Sequence, residues 1–326
     1  EAEAGELVVG RTPAMKRVMD LARRVAPTQS TVLILGESGT GKDVVARVIH
    51  RLAQAAKPTD GRFVPVNCAA IPHELMESQL FGHRKGAFTG ADRDSPGVFV
   101  HAGAGTVFLD EVGELPLTTQ AKLLRAIEQK EVLPVGASEP VKVQARILAA
   151  TNKNLEKEAT AGRFRQDLFF RLNVVSLTLP PLRDRRDDLP ELVAFLLARH
   201  AEAAGKPFTG LSHEALQVAL AYPWPGNVRE LDNALQRAVI LGEPPLVYPE
   251  DLPPNLTPSP DDPAGVDDLR VAHQRFERQH IARILHHTPD KREAAKRLGI
   301  GLSSLYRKIE EHKLGVADDP GERGPP

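Results

Sequence analysis

The sequence has almost no cysteine and almost no net charge, and each absence excludes a class of protein. The single cysteine among the 326 residues, Cys68, excludes an intramolecular disulfide and fits a reducing compartment. The formal net charge of −1 excludes a strongly basic or strongly acidic body. Any contact with nucleic acid must therefore come from a local patch of charge.

Long apolar runs and a secretory leader are missing as well. No stretch approaches the roughly 20 apolar residues that a helix needs to cross a bilayer, so we expect neither a membrane span nor a membrane partner. The N-terminal segment has no signal-peptide pattern. It begins EAEAGELVVG without an initiator methionine, from which we expect a fragment that lacks an upstream domain.

Short apolar runs separated by amphipathic stretches fill residues 7–180. Runs that end in glycine or a polar residue predict buried parallel strands at 31–36, 62–67, 105–111 and 145–152. With helices between them, they predict an α/β domain with helices on both faces of a sheet.

Residues 181–242 have helical spacing without a strand pattern, which predicts a small helical subdomain. The charged run LRDRRDD (182–188) leads into its first helix, and we interpret the run as a solvated surface. Residues 243–266 hold eight prolines, which predict a semi-extended linker. Residues 267–314 are helical and basic, and residues 315–326 predict a disordered tail.

The stretch GESGTGKD (36–43) follows a predicted strand and precedes a predicted helix. Backbone N–H groups in such a turn bind phosphates, and Lys42 can reach the outer phosphates. Asp43 stands where a serine or threonine hydroxyl usually binds Mg²⁺. A glycine-rich turn without a ligand is the alternative, but the strand–loop–helix context favours nucleotide binding.

Two adjacent acids, Asp110 and Glu111, end the apolar stretch GTVFLDE. Carboxylates at the carboxyl end of a central strand lie where a ligand crevice forms. There Asp110 can hold Mg²⁺, and Glu111 can orient and deprotonate a water that attacks the γ-phosphate. Two solvated acids at a strand end are the alternative, and the phosphate loop upstream favours the catalytic interpretation.

The basic charge is concentrated near the C-terminus. Residues 267–314 contain eleven Lys and Arg against seven Asp and Glu, a difference of +4. DKREAAKRLGI predicts a helix that ends at Gly299, and LSSLYRKIEEHKL predicts a second one. A pair of helices of this length suits the DNA major groove, although a basic helical hairpin for protein contact is the alternative. The predicted core is Ala294, Ala295, Leu298, Leu305 and Ile309, and the predicted DNA contacts are Ser303, Ser304, Arg307 and Lys308.

Several motifs occur in an order and at a spacing that resemble one family, the sigma-54-dependent transcriptional activators or bacterial enhancer-binding proteins. The resemblance covers about residues 7–242 and implies an AAA+ P-loop ATPase with a helical lid. AAKRLGIGLSSLYRKI resembles the Fis-type helix-turn-helix that usually ends these proteins. GAFTGA is the most specific of the motifs, which are GESGTGKD, NCAAIP, LFGHRKGAFTGA, GTVFLDEVGELP, RILAATN, FRQDLFFRLNVV, LPPLRDRRDD and YPWPGNVREL.

The resemblance implies Mg²⁺-ATP at the phosphate loop. Lys42 would bind the β- and γ-phosphates, Asp110 would serve Mg²⁺ together with Asp43, and Glu111 would activate water. The family usually has glutamate at position 43; aspartate keeps the carboxylate, so we expect Mg²⁺-ATP binding to survive. The implied nucleotide-binding set also includes Gly36, Glu37, Ser38, Gly39, Thr40 and Gly41.

Other residues resemble parts that sense or complete the nucleotide site. Asn67 resembles the switch residue that holds the catalytic glutamate, with a strand-end cap as the alternative. Asn152 resembles sensor I, which responds to the γ-phosphate. Arg229 resembles sensor II, which couples the lid to the nucleotide, with a capping or surface arginine as the alternative.

Arg165 and Arg171 resemble arginine fingers that reach a neighbouring subunit's nucleotide. Ordinary interface ion pairs are the alternative, and Arg163 is a nearby competitor. The family assembles as rings, so the resemblance implies a homo-oligomer, a hexamer, with ATP at each interface.

The implied activity is ATP-driven remodelling of the sigma-54 RNA polymerase holoenzyme from a closed to an open promoter complex. The resemblance also implies a location in the bacterial cytoplasm and a place in a two-component system. Hydrolysis would change a contact between Glu111 and Asn67, and that movement would reach the sigma-factor loop. A hairpin at 133–140 would support this loop. Gln79 and Arg84 stand where acids are more usual and could alter the coupling. The loop residues are Gly86, Ala87, Phe88, Thr89, Gly90 and Ala91.

The helix-turn-helix resemblance implies upstream enhancer DNA as a partner. The amphipathic stretch 269–285 resembles a dimerising helix, which matches palindromic half-sites. This sequence departs from the family at two positions: Gly301 stands where a capping serine is usual, and Leu302 stands where a basic residue is common.

Two other hypotheses remain open. One is a DNA-bound regulator that binds ATP without remodelling sigma-54, which the intact GAFTGA sequence disfavours. The other is a different AAA+ remodeller, such as a helicase loader or chaperone, which the terminal helix-turn-helix also disfavours.

Overall fold

A computed structural model describes residues 10–256 and 290–312, together with residues 277, 278, 280, 281, 284, 285 and 288. The chain divides into two compact units, Glu1–Pro253 and Pro254–Pro326. The predicted tail, the later part of the predicted linker and most of the predicted dimerising helix lie outside the described residues. Among the residues that are described, no helix is both long and apolar enough to cross a bilayer.

The first unit contains a five-stranded sheet in the order β2–β3–β6–β1–β7, in which every neighbouring pair is parallel. A two-stranded antiparallel hairpin pairs β4 with β5, and a small parallel pair joins β8 to β9. In chain order the strands are β1 (Val32–Leu35), β2 (Phe63–Asn67), β3 (Thr106–Asp110), β4 (Glu131–Val132), β5 (Val141–Lys142), β6 (Arg146–Thr151), β7 (Val175–Thr178), β8 (Gly210–Leu211) and β9 (Leu246–Val247).

Both faces of the five-stranded sheet are buried, because alternate strand residues enter two different apolar clusters. Leu33 and Leu109 belong to one cluster, whereas Ile34 and Phe108 belong to the other. The predicted α/β domain with helices on both faces is therefore confirmed. Its helices are α1 (Pro13–Val25), α2 (Lys42–Ala56), α3 (His73–Phe81), α4 (Gly97–His101), α5 (Leu117–Glu128), α6 (Leu155–Thr160) and α7 (Gln166–Leu172).

Three helices form the lid that follows the sheet: α8 (Leu189–Ala204), α9 (His213–Ala221) and α10 (Asn227–Leu241). The structure differs from the prediction that a linker begins at residue 243. β9 pairs with β8, Val247 is fully buried, and a short 3-10 turn follows at Pro249–Asp251. Because Val247 is buried and its strand pairs with β8, the start of the predicted linker belongs to the lid.

The second unit contains α11 (Lys291–Arg297) and α12 (Leu302–Glu311), joined by a turn in which Gly299 has a φ of 67°. Asp290 caps α11 by accepting a hydrogen bond from the N–H of Arg292 at 2.8 Å. The predicted core is confirmed: Ala294, Ala295 and Leu305 are buried with Ile281, and Leu298 and Ile309 pack against them. The helix–turn–helix prediction holds for this unit.

Candidate active site and contact loops

The phosphate loop (residues 36–43) connects the end of β1 to the start of α2. Because α2 begins at Lys42, the loop and the helix N-terminus border the same space. Lys42 is 6% exposed, and its Nζ donates to the carbonyl oxygens of Gly36 at 3.0 Å and Glu37 at 3.3 Å. A buried ammonium beside a glycine-rich loop at a helix N-terminus is the arrangement that binds phosphate oxygens.

The two predicted acids lie beside this loop. Glu111 Oε1 is 3.5 Å from Lys42 Nζ, and Glu111 Oε2 accepts a hydrogen bond from the backbone N–H of Asn152 at 3.3 Å. Burial and the neighbouring Glu111 carboxylate raise the pKa of Asp110, and Asp43 adds to the rise. This concentration of negative charge favours a bound cation.

A cavity of about 230 Å³ gathers most of the predicted nucleotide residues. Arg229 borders it from the lid, and its Nη1 donates to Ser38 Oγ at 3.1 Å. Ala69 lines the same cavity and was not predicted. The full lining is Ser38, Gly39, Gly41, Lys42, Asp43, Asn67, Ala69, Asp110, Glu111 and Arg229.

Asn67 ends β2 and is paired with Asp110 in the register of the sheet. Its Oδ1 accepts a hydrogen bond from the N–H of Ala69 at 3.0 Å and caps a 3-10 turn at Cys68–Ala70. Among the contacts of the described residues, the implied one between Asn67 and Glu111 is absent. The side chain acts here as the strand-end cap that was the alternative.

The lid contributes residues that the sequence analysis did not select. Arg183 forms two hydrogen bonds to the Glu37 carboxylate, at 2.6 and 2.8 Å. The interpretation of 182–188 as a solvated run is wrong for Arg185 and Asp188, which are 4% and 1% exposed. Asp188 accepts hydrogen bonds from the N–H and hydroxyl of Thr12 at 2.9 and 2.8 Å. No local pattern distinguishes these two buried charges from their exposed neighbours.

The two candidate arginine fingers lie outside the cavity lining and are largely exposed. Arg165 forms a two-bond contact with Asp167, at 3.0 and 2.7 Å, and Arg171 contacts Glu128 at 2.6 Å. Arg163 is occupied in the same way by Glu158, at 2.7 and 2.8 Å. Surface ion pairs of this kind contribute little to stability, so each arginine is available to another partner.

The GAFTGA loop (residues 86–91) is a tight turn that exposes its tip. The N–H of Gly86 donates to the carbonyl of Ala91 at 2.8 Å, and the N–H of Ala91 donates to Phe88 at 3.0 Å. Phe88 is 37% exposed, and its ring meets the ring of His83 edge-on at 5.0 Å. Thr89 is exposed beside it.

The β4–β5 hairpin lies against the base of this loop. The carbonyl of Val135 accepts a hydrogen bond from the N–H of Arg84 at 3.0 Å, and the N–H of Val135 donates to Gly82 at 2.9 Å. A Cβ at Gly136 would lie 2.9 Å from the Cβ of Ala87, so the two segments are in close contact. The hairpin is thus placed where it can support the loop.

On α12, the predicted DNA contacts have different environments. Ser303 and Arg307 are exposed and Ser304 is partly buried. Lys308 is instead paired with Glu277 of the same unit, so its ammonium is engaged within the unit. Tyr306 is 50% exposed, and the centre of its ring lies 5.5 Å from the Lys291 ammonium. Its position on α12, among the predicted DNA contacts, could have indicated it as a candidate contact from the sequence.

Comparison with known families agrees with both units. Residues 8–178 match the sigma-54 interaction domain, residues 183–267 the AAA+ ATPase lid domain, and residues 274–312 the bacterial regulatory proteins of the Fis family. The first match covers just over half of the chain.

Individual relatives extend this match over nearly the whole chain. The chain is 44% identical to the response regulator protein PilR of Pseudomonas aeruginosa, over 97% of this chain and 71% of PilR. It is 43% identical to UacR of Escherichia coli K12 over 95% of this chain, but spans only 54% of UacR. The crystal structure of Brucella abortus NtrX in complex with ATP has a TM-score of 0.72 at 37% identity, covering 94% of this chain and 69% of NtrX. The chain belongs to the sigma-54-dependent transcriptional regulators and combines an AAA+ ATPase domain with a Fis-type helix-turn-helix.

Proposed function

We propose that this chain assembles as a ring, hydrolyses ATP and uses the energy to convert the sigma-54 RNA polymerase holoenzyme from a closed to an open promoter complex. It acts from upstream enhancer DNA in the bacterial cytoplasm, and the response regulator among its relatives supports a two-component input. The observation that carries the proposal is that one domain holds both a phosphate cavity with an acid pair and an exposed Phe88–Thr89 tip.

Glu111 is held at both carboxylate oxygens, by Lys42 and by the Asn152 N–H. As water oxygen bonds to the γ-phosphorus of ATP, Glu111 accepts the water's proton. The bond from that phosphorus to the β,γ-bridging oxygen breaks, and ADP and inorganic phosphate leave. Lys42 stabilises the charge that develops on the phosphate oxygens.

The residues at the cavity also fit Mg²⁺. Among the described residues, no group of three or more His, Cys, Asp or Glu side chains is arranged to hold a metal alone. Mg²⁺ needs no such group, since it uses one or two carboxylates together with phosphates and water. Asp110 and Asp43 would supply those carboxylates. Mg²⁺ held by these carboxylates would neutralise negative charge on the phosphates.

In a ring, Arg165 and Arg171 would complete the neighbouring subunit's site. The Arg165 side chain is 42% exposed and the Arg171 side chain is 60% exposed, and each is paired with an acid of its own chain. Exchanging a weak surface ion pair for a phosphate costs little free energy. The guanidinium would then stabilise the transition-state charge from outside the subunit that binds ATP.

A short path connects the acid pair to the GAFTGA loop. Asn67 lies beside Asp110, and only a 3-10 turn and α3 separate it from the loop along the chain. At the end of α3, Ser78 Oγ lies 2.7 Å from His83 Nδ1, and His83 contacts Phe88. A nucleotide-dependent movement of Asn67 would therefore reach the loop tip through packed elements.

Transcription from a sigma-54 promoter with purified chain, holoenzyme and ATP tests the proposal. We expect ATP-dependent open complexes from the unaltered chain. Thr89→Ala should abolish them and leave the ATPase rate within about twofold, because Thr89 is not among the described residues that line the catalytic cavity. Thr118→Ala removes an exposed hydroxyl on α5 and should change neither readout.

Two outcomes would contradict this assignment. If Thr89→Ala still forms open complexes at the normal rate, the loop is not the sigma-54 contact. If the unaltered chain hydrolyses ATP and binds DNA but forms no open complex, the second hypothesis, a regulator that does not remodel sigma-54, is favoured.

A further inference from the structure

The lid contacts the backbone of the phosphate loop at three consecutive peptide groups. We call the three side chains that make or brace these contacts, Arg183, Arg185 and Asn227, the lid clasp. The accepted hydrogen bonds are Ser38 O from Asn227 Nδ2 at 3.0 Å, Gly39 O from the backbone N–H of Val228 at 2.9 Å, and Thr40 O from Arg185 Nη2 at 2.9 Å.

Holding these carbonyls determines where the loop's N–H groups point. In a planar trans peptide the carbonyl oxygen and the next residue's N–H point in opposite directions. Carbonyls of Ser38 and Thr40 that face the lid therefore turn the N–H groups of Gly39 and Gly41 to the other side. Both glycines line the cavity, and such N–H groups are the ones that bind phosphate.

Asn227 suits this position because the position requires both a hydrogen-bond donor and an acceptor, and a side-chain amide supplies both. It is fully buried; its Oδ1 accepts from the N–H of Leu182 at 2.8 Å. Its Nδ2 donates to three acceptors: Ser38 O at 3.0 Å, the Glu37 carboxylate at 3.2 Å and Pro225 O at 3.4 Å. An aspartate would keep the contact with Leu182 but place a negative charge against these acceptors.

The clasp is braced by the ion pair between Glu37 and Arg183. The two hydrogen bonds of this pair, with help from Asn227, lower the pKa of Glu37 to about 2. Arg185 is nearly fully buried and directs its guanidinium at Thr40 rather than at solvent. Burying an arginine to bind a carbonyl of the loop is costly unless that contact is maintained.

We infer that Asn227 and Arg185 are positioning residues for nucleotide binding, which hold the phosphate-loop peptides so that their N–H groups meet the phosphates. The inference rests on the proposed ATP binding at this loop. It assigns part of the nucleotide affinity to side chains of the lid that are not in the lining of the cavity. Because the loop binds phosphates that ADP and ATP share, the clasp should affect both nucleotides alike.

Equilibrium titration of ADP and ATP against the full chain tests this with Asn227→Asp. We expect both affinities to fall about tenfold, the effect of removing a buried donor from its acceptors. Asn154→Asp is the matched control, since Asn154 caps α6 by accepting from Lys157 alone and aspartate can do the same. We also expect KM for ATP to rise while kcat at saturation stays within about twofold; a merely destabilised variant would lose kcat instead.

A folded Asn227→Asp variant with unchanged affinities for both nucleotides overturns the inference. If that variant fails to fold, Arg183→Gln decides, because its side chain is 42% exposed. A weaker but equal loss of ADP and ATP affinity in Arg183→Gln supports the clasp, and unchanged affinities overturn it. Failure of the proposed ATP binding is a separate result, since the unaltered chain would then bind neither nucleotide.

Discussion

The AAA+ domain has two glycine-rich loops, and they differ in what surrounds them. The phosphate loop is held from outside: the lid hydrogen-bonds to its carbonyls, and Lys42 lies buried beneath it. The GAFTGA loop is held by its own turn and at its base, where Asp94 accepts from Arg84 and from the N–H of Lys85. Its tip is exposed.

This difference fits the size of the partner that we propose for each loop. A phosphate is small and requires N–H groups in fixed directions, which fits the contacts that the lid and Lys42 make with the phosphate loop. A protein partner covers a surface and can be met only by a loop that projects from the domain. An exposed aromatic such as Phe88 makes sense where a partner buries it.

The largest expected effect lies on the phosphate side. Glu111→Gln should lower the ATPase rate about 10²- to 10⁴-fold, the usual contribution of a general base. ATP binding should persist because the loop and Lys42 are unchanged. The rate is measured by phosphate release and the affinity by titration. Glu114→Gln, one short turn away and paired with Lys153 at 2.8 Å, is the control. Normal turnover in Glu111→Gln would remove Glu111 from the mechanism.

A pair of glycines tests the structural side of the comparison. Gly39 in the phosphate loop and Gly86 in the GAFTGA loop have nearly equal φ values, 77° and 79°. Alanine at either position carries a similar backbone cost, about 1–2 kcal/mol. Their surroundings differ: a Cβ at Gly39 would lie 2.3 Å from the carbonyl oxygen of Gly226, whereas a Cβ at Gly86 would have no atom of the described residues within 4 Å.

Gly39→Ala should therefore lower the free energy of unfolding by about 1–3 kcal/mol more than Gly86→Ala, because the lid must move away from the loop. Chemical denaturation of both variants measures the difference. Gly39→Ala should also weaken ADP binding, and Gly86→Ala should not. Equal destabilisation of the two variants would mean that the lid is not pressed against the phosphate loop.

Features formed by residues close together in the sequence were predictable, whereas contacts between residues that only the folded chain brings together were not. A strand, a glycine-rich turn and a helix follow one another at β1, the loop and α2, so Lys42 could be placed from the pattern alone. The confirmed α/β fold was predictable in the same way, since each predicted strand is a short apolar run that ends in glycine or a polar residue. The contact between the Asn152 N–H and Glu111 was not, because it joins the ends of β3 and β6, which only the strand order of the sheet brings side by side.

The lid clasp depends on residues far apart in the chain. Asn227 and Ser38 meet only after the lid folds back over the sheet, and nothing near Asn227 in the sequence indicates a partner. Arg185 is buried and Arg186 is exposed, although both belong to one charged run. Lys308 was expected at DNA because it lies on α12, and its pairing with Glu277 needed the preceding helical residues in place.

The smallest expected effect concerns pH and the ion pair that braces the clasp. The folded state lowers the pKa of Glu37 from 4.5 to about 2, with Arg183 as the main cause. An acid whose pKa is lowered on folding stabilises the protein above its unfolded pKa, and this contribution is lost as pH falls from about 4.5 towards 2. The difference in unfolding midpoint between the unaltered chain and Glu37→Gln should therefore be largest near neutral pH and shrink below pH 4.5.

Asp94→Asn removes the matching ion pair at the GAFTGA loop, and should leave ADP affinity unchanged at pH 7, whereas Glu37→Gln should lower it. If the difference in midpoint stays constant down to pH 3, the charge of Glu37 does not contribute to stability. The contact between Glu37 and Arg183 would then act through packing alone.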